Sequence, residues 1–92
     1  MSERNRLAST CCIIGLGYIG LPTAAVLARA GHRVIGVDVN DQVVATVNQG
    51  QIHIVEPDLD QAVAAAVACG ALSAQLTPAP ADVFLIAVPT PF

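Results

Sequence analysis

The sequence predicts an α/β domain, with four parallel strands in the order 3-2-1-4 and helices on both faces of the sheet. Three observations predict it. Short aliphatic runs alternate with stretches of helical periodicity, and glycines punctuate the junctions. The segment CIIGLGYIGLPTAAVLA (12–28) also sets three glycines and a proline into the most apolar part of the chain. Alternating strands and helices imply crossover connections, a parallel sheet and strands that are apolar almost throughout. Right-handed crossovers give the strand order and open a crevice between the first and fourth strands, where a ligand should lie.

The elements follow in order. CCIIG (11–15) is a short apolar run ending in glycine, a buried strand. Helical periodicity runs from Ile19 to Ala30, with Pro22 tolerated in the first turn and Gly31 just past the end. HRVIGVD (32–38) is the second strand and closes on an acid. Asn40 or Asp41 caps the second helix, DQVVATVNQ, which Gly50 stops. QIHIVEP (51–57) connects to a third helix that opens with Pro57 in its first turn and runs to about Ala68, before Gly70. Asp58 and Asp60 suit the positive end of that helix dipole. LSAQLT (72–77) is a weaker third strand, PAPA a short turn, and DVFLIAV (82–88) a fully apolar fourth strand. Residues 1–10 read as an N-terminal tail and 11–92 as one domain.

Composition excludes several classes. The 92 residues are 54% hydrophobic and 12% charged, with only three aromatics, so the core is aliphatic. A net charge of −3 and four scattered arginines give no footprint for nucleic acid and no polybasic patch for a membrane surface. Cys11, Cys12 and Cys69 are odd in number and form no metal-ligand spacing. They read as small buried hydrophobes in a reducing cytoplasm. A secretory signal or membrane span is the rival reading for residues 7–28, which carry no charge. Gly15, Gly17, Gly20 and Pro22 interrupt that run, and it is too long for a signal core.

The glycines carry the chemistry. Gly15-Leu16-Gly17-Tyr18-Ile19-Gly20 is G-x-G-x-x-G, ending a predicted strand and opening a predicted helix. In a Rossmann-type fold the first glycine permits the tight turn and the second lets the backbone approach a pyrophosphate. The third lets helix and strand pack closely. The helix N-terminus then offers unpaired N–H groups and a positive dipole end to the phosphates. Asp38, 18 residues beyond Gly20, is placed to accept hydrogen bonds from the adenosine ribose. It would repel a 2′-phosphate, and neither Val39 nor Asn40 supplies a compensating charge, so the cofactor expected is NAD. Thr90, held between Pro89 and Pro91 at the carboxyl end of the fourth strand, should face the same crevice. His32, His53, Glu56 and Asp82 read as loop or element-end residues.

IIGLGYIGLPTAAVLA, VIGVDVN, VNQGQIHIVEPDL and DVFLIAVPTPF resemble the amino-terminal region of the UDP-glucose/GDP-mannose dehydrogenase family, the nucleotide-sugar 6-dehydrogenases. HIVEPDL, where other members tend to read PIYEPGL or PIVEPGL, looks most like the branch acting on UDP-N-acetyl-D-mannosamine for bacterial surface polysaccharides such as enterobacterial common antigen. By that resemblance Tyr18, Ile19, Asp38 and Thr90 match positions that contact NAD. It implies a cytoplasmic, homo-oligomeric enzyme that takes a UDP-sugar substrate from alcohol to carboxylate with two NAD. The family's nucleophilic cysteine sits in a glycine-rich motif that nothing here matches, and the chain contains no lysine. No catalytic residue is therefore expected in it. It looks like the first part of such an enzyme, without the central helix and the UDP-binding domain. Taken alone it should leave an apolar sheet face and an edge strand exposed. The readings set against this are another NAD dehydrogenase, which HIVEPDL and VPTP disfavour, and a non-enzymatic nucleotide-sensing module.

Overall fold

A computed structural model of the chain describes residues 8–88. The elements are β1 (Thr10–Ile14), α1 (Gly20–Arg29), β2 (Arg33–Val37), α2 (Asp41–Asn48), α3 (Leu59–Ala68), β3 (Leu72–Gln75) and β4 (Val83–Ile86). The strands form one sheet in the order β3-β2-β1-β4, and every neighbouring pair is parallel. Predicted order and direction are thus those observed. Element ends differ by at most two residues; β1, for instance, already includes Thr10, paired with Arg33.

Strand alternation divides the apolar residues between two faces. Ile13, Val34, Leu72 and Ala74 face the helices and join Leu21, Ala24, Ala28, Val47, Leu59 and Val63 in the main core. The other face gathers Cys12, Ile35 and Val37 with Ile14, Ala79 and Ala81, and no helical side chain among the described residues. The helical layer expected on that second face is therefore not found within residues 8–88. Topology explains this. The crossovers β1–β2 and β2–β3 advance in the same direction, so right-handedness places their helices on the same side. The connection that reverses direction, β3 to β4, is the irregular stretch 76–82, which brings only small side chains to the sheet. As expected, β4 is left exposed, with Phe84 at 52% and Ile86 at 76%.

The helices end as the glycines foretell. Each closes in a Schellman motif: His32 N–H donates to the Leu27 carbonyl, Gln51 N–H to Thr46, and Ala71 N–H to Ala66, with Gly31, Gly50 and Gly70 at positive φ. Asn40 caps α2, its side-chain oxygen accepting from Gln42 N–H at 2.9 Å and Val43 N–H at 3.4 Å.

The start of α3 corrects the sequence reading. Pro57 is not in the helix, because Leu59 N–H donates to the Glu56 carbonyl at 3.2 Å and closes a turn around Pro57 and Asp58. Asp58 sits at φ 64°, ψ 0°, the conformation that the third position of a type II turn requires and that glycine adopts most readily. Its carboxylate makes no capping bond. Replacing Asp58 with glycine should relieve about 1 kcal/mol of left-handed strain and forfeit about 0.5 kcal/mol of dipole interaction. The variant is expected to be more stable by about 0.5 kcal/mol, which raises the thermal midpoint by roughly 2–4 °C in a domain of this size. A lower midpoint by calorimetry contradicts this account of the turn.

Candidate functional site

The carboxyl ends of β1, β2 and β4 meet at one rim of the sheet, and the chain turns there at Gly15. Its N–H donates to the Val37 carbonyl at 2.7 Å, and Ala87 N–H donates to the Ile14 carbonyl at 2.7 Å, so both neighbouring strands grip the turn. Each glycine of the motif has its own environment. Gly15 lies at φ +102°, and a Cβ there would stand 2.9 Å from the Ala87 carbonyl oxygen. A Cβ on Gly20 would fall on the Gly15 carbonyl oxygen. These two are glycine because the protein itself leaves no room. Gly17 differs: its φ is not positive, and a Cβ would meet nothing within 4 Å. Nothing in the fold requires glycine at that position, so the free space beside its backbone is available to a ligand.

Helix α1 begins at Gly20 and carries no side-chain cap at Ile19. The first turn of a helix leaves N–H groups without intrahelical partners, and these point out of its N-terminus with the positive end of the dipole. Tyr18 and Ile19, both 71% exposed, flank this opening. A concave turn with open space at Gly17 and an uncapped helix behind it suits a diphosphate.

Asp38 stands immediately after β2, half-buried beside the turn. One carboxylate oxygen accepts from Leu16 N–H at 3.1 Å, inside the glycine motif, and the other accepts from Asn40 N–H at 3.0 Å. Its own N–H donates to the Gln75 carbonyl at 3.2 Å. The sequence places Asp38 at the site but does not reveal that it also ties the turn to β2 and α2. Each oxygen keeps acceptor capacity beyond these bonds, because an ionised carboxylate offers about four lone-pair directions. Val39, 94% exposed, follows it at the rim.

The structure therefore brings together Gly15, Gly17, Tyr18, Ile19, Gly20 and Asp38. Thr90 lies outside the described residues; Ala87 and Val88, which lead toward it, pack against Gly15. One contributor to the site escaped the sequence reading, and one residue away from it does more than expected. Leu16 is fully buried, and its methyl groups would stand 2.8–2.9 Å from a Cβ on Gly36 in β2. A glycine inside a strand often marks such a close approach, so VIGVD carried the signal. His32 is more than a loop residue: its Nδ1 accepts from Ser9 N–H at 3.1 Å and pins the start of β1. A groove of about 570 Å³ lies between α1 and α3, away from the turn.

The cysteines take no part in this site. Cys11 and Cys12 are buried in β1, and Cys69 is exposed at the end of α3. Burial pushes the Cys11 thiol above its ordinary value, and the nearby Asp82 charge adds to the rise. A thiol held neutral in this way is a poor nucleophile.

Comparison with known proteins agrees with this geometry. The model of the UDP-glucose/GDP-mannose dehydrogenase family NAD binding domain matches residues 9–92. An NDP-N-acetyl-D-galactosaminuronic acid dehydrogenase from Ralstonia nicotianae is 65% identical over 83 residues, covering 90% of this chain and 20% of the relative. The UDP-N-acetyl-D-mannosamine dehydrogenase of Escherichia coli is 60% identical over 84 residues, covering 91% and 20%. Among solved structures, the UDP-N-acetyl-mannosamine dehydrogenase of Staphylococcus aureus superposes with a TM-score of 0.87 at 46% identity, covering 90% of this chain and 20% of that one. The chain spans about a fifth of the length of the curated relatives it matches. Match and fold agree over nearly all of the sequence, and the chain belongs to the UDP-glucose/GDP-mannose dehydrogenase family, as an NAD-binding domain.

Proposed function

We propose that this domain holds NAD for a nucleotide-sugar 6-dehydrogenase that oxidises a nucleoside-diphosphate N-acetylhexosamine, UDP-N-acetyl-D-mannosamine in the first instance. One observation carries the binding mode: Gly17 is a glycine that the fold does not need. The pyrophosphate lies against its bare backbone and takes hydrogen bonds from the first turn of α1. Asp38 accepts from the adenosine ribose hydroxyls while remaining fixed by Leu16 and Asn40. Tyr18 and Ile19 cover the dinucleotide from the open side, and Thr90 completes the contacts from the β4 side. NAD supplies the hydride acceptor; what these residues contribute is binding and orientation. No residue in the chain matches the family's nucleophile, so the 92 residues alone bind NAD without oxidising a sugar. The reaction belongs in the cytoplasm, where NAD and nucleotide sugars are made.

The identities of 58–63% to UDP-N-acetyl-D-mannosamine dehydrogenases from several bacteria support the sugar. A second reading has its own observation: the 65% identity to the Ralstonia nicotianae enzyme favours an N-acetylgalactosamine nucleotide. An assay of the enzyme that carries this domain separates them. Two NADH per UDP-N-acetylmannosamine, with no turnover of the galactosamine isomer, is the expected result, and the reverse preference establishes the second reading.

Asp38→Asn tests the ribose contact. The amide keeps one acceptor but turns an NH2 toward either Leu16 N–H or Asn40 N–H, and it weakens the bond to ribose. We expect NAD affinity to fall by about 1–3 kcal/mol, from a neutral hydrogen bond's worth up to that of a full charge-assisted one, as read by calorimetric titration. Unchanged affinity removes Asp38 from the ribose site.

A further inference from the structure

We infer that Asn48, at the last turn of α2 and away from the rim, is a positioning residue for the Asp38 carboxylate; the inference rests on Asp38 holding the ribose. The side chain of Asn48 behaves as a one-residue strand. Its Nδ2 donates to the Ala74 carbonyl at 2.8 Å, and its Oδ1 accepts from Ala74 N–H at 2.8 Å. β3 is the outermost strand on that side, and Asn48 takes the backbone groups of its third residue, Ala74, groups that β2 does not pair.

This clasp leads to Asp38 by two routes. The Ala74 carbonyl belongs to the peptide unit that joins Ala74 to Gln75, and the next carbonyl, that of Gln75, receives Asp38 N–H. Fixing the one peptide plane leaves only the two torsions of Gln75 between the clasp and the acceptor that holds the Asp38 backbone. The second route runs through the helix. Asn48 ties the carboxyl end of α2 to β3, while Asn40 at its amino end donates its N–H to the Asp38 carboxylate. An eight-residue helix clasped at the far end keeps that donor in place. When the clasp is removed, both the backbone and the side chain of Asp38 lose a fixed partner, although no atom of Asn48 reaches the rim. A residue that merely stabilised β3 would lower the melting temperature and leave the affinity of the folded protein unchanged.

The test is a double-mutant cycle on the full chain, with NAD and NADP titrated calorimetrically into wild type, Asn48→Ala, Asp38→Ala and the double variant. Coupling through one network predicts that Asn48→Ala weakens NAD by about fivefold or more in the wild-type background and by less than about twofold when Asp38 is already alanine. The preference for NAD over NADP should shrink in parallel, because a loosened carboxylate repels a 2′-phosphate less. Asn48→Asp breaks the clasp without shortening the side chain, since it sets a carboxylate oxygen against the Ala74 carbonyl at the negative end of the α2 dipole; its NAD affinity should fall as in the alanine variant. Wild-type affinity in both Asn48 variants, or an Asn48→Ala effect undiminished without Asp38, overturns the positioning role alone. Wild-type affinity in Asp38→Ala overturns the ribose contact and this inference with it.

Discussion

Replacing Gly20 with alanine is expected to cost about 3 kcal/mol or more, a large fraction of the stability of a domain this small. The added Cβ would coincide with the Gly15 carbonyl oxygen and approach the Ala87 side chain to 3.4 Å. A flexible side chain would yield at little cost, but the obstacle here is backbone. The Gly15 carbonyl shares its peptide plane with Leu16 N–H, which donates to Asp38, and the preceding plane is held on both sides by Gly15 N–H on the Val37 carbonyl and Ala87 N–H on the Ile14 carbonyl. Relief would require α1 to lift off β1 and take Leu21, Ala24 and Ala28 out of the main core. Urea denaturation should show a strongly lowered midpoint or no folded baseline. A loss under 1 kcal/mol would mean that α1 does not pack on β1 as closely as described.

Gly17→Ala should behave in the opposite way. Its Cβ meets no protein atom and its φ is not positive, so stability should stay within about 0.5 kcal/mol of wild type, the usual range for a substitution free of such conflicts. The methyl group occupies the space through which the pyrophosphate approaches, however. Holding the phosphates one methyl away breaks charge-assisted hydrogen bonds worth about 1.5–3 kcal/mol each. NAD affinity should therefore fall at least tenfold while the melting temperature hardly moves. An alanine variant that binds NAD as wild type does would show that the ligand passes elsewhere. A variant that unfolds would show that Gly17 is a packing glycine like its neighbours.

That contrast shows what the sequence discloses and what it withholds. The spacing of Gly15, Gly17 and Gly20 was legible, and so was the strand-turn-helix context, because periodicity and punctuation are local. The division of labour among the three glycines was legible too, from the Rossmann pattern; what excludes a side chain at Gly15 was not, since the Ala87 carbonyl reaches it from far along the chain. The distance of Asp38 from the motif points to the end of β2, where it lies, but its hydrogen bond to Leu16 N–H appears only once β1 and β2 lie side by side. The pairing of Asn48 with Ala74 spans 26 positions and matches no local pattern. Pro57 misled for a different reason. Proline suits both the first helical turn and the second position of a type II turn, and the φ of Asp58 decides for the latter. The PIYEPGL and PIVEPGL wording of other family members carried that signal, with glycine where this chain has Asp58.

The central claim is that the uncapped turn at Gly17 and the acid at Asp38 together form a site for NAD and against NADP. Parallel calorimetric titrations of the two dinucleotides into the wild-type chain test it most directly. The account predicts that NAD binds at least about tenfold more tightly, since the 2′-phosphate would be brought against the Asp38 carboxylate and neither Val39 nor Asn40 brings a positive charge to offset it. Equal affinities, or tighter binding of NADP, would contradict it.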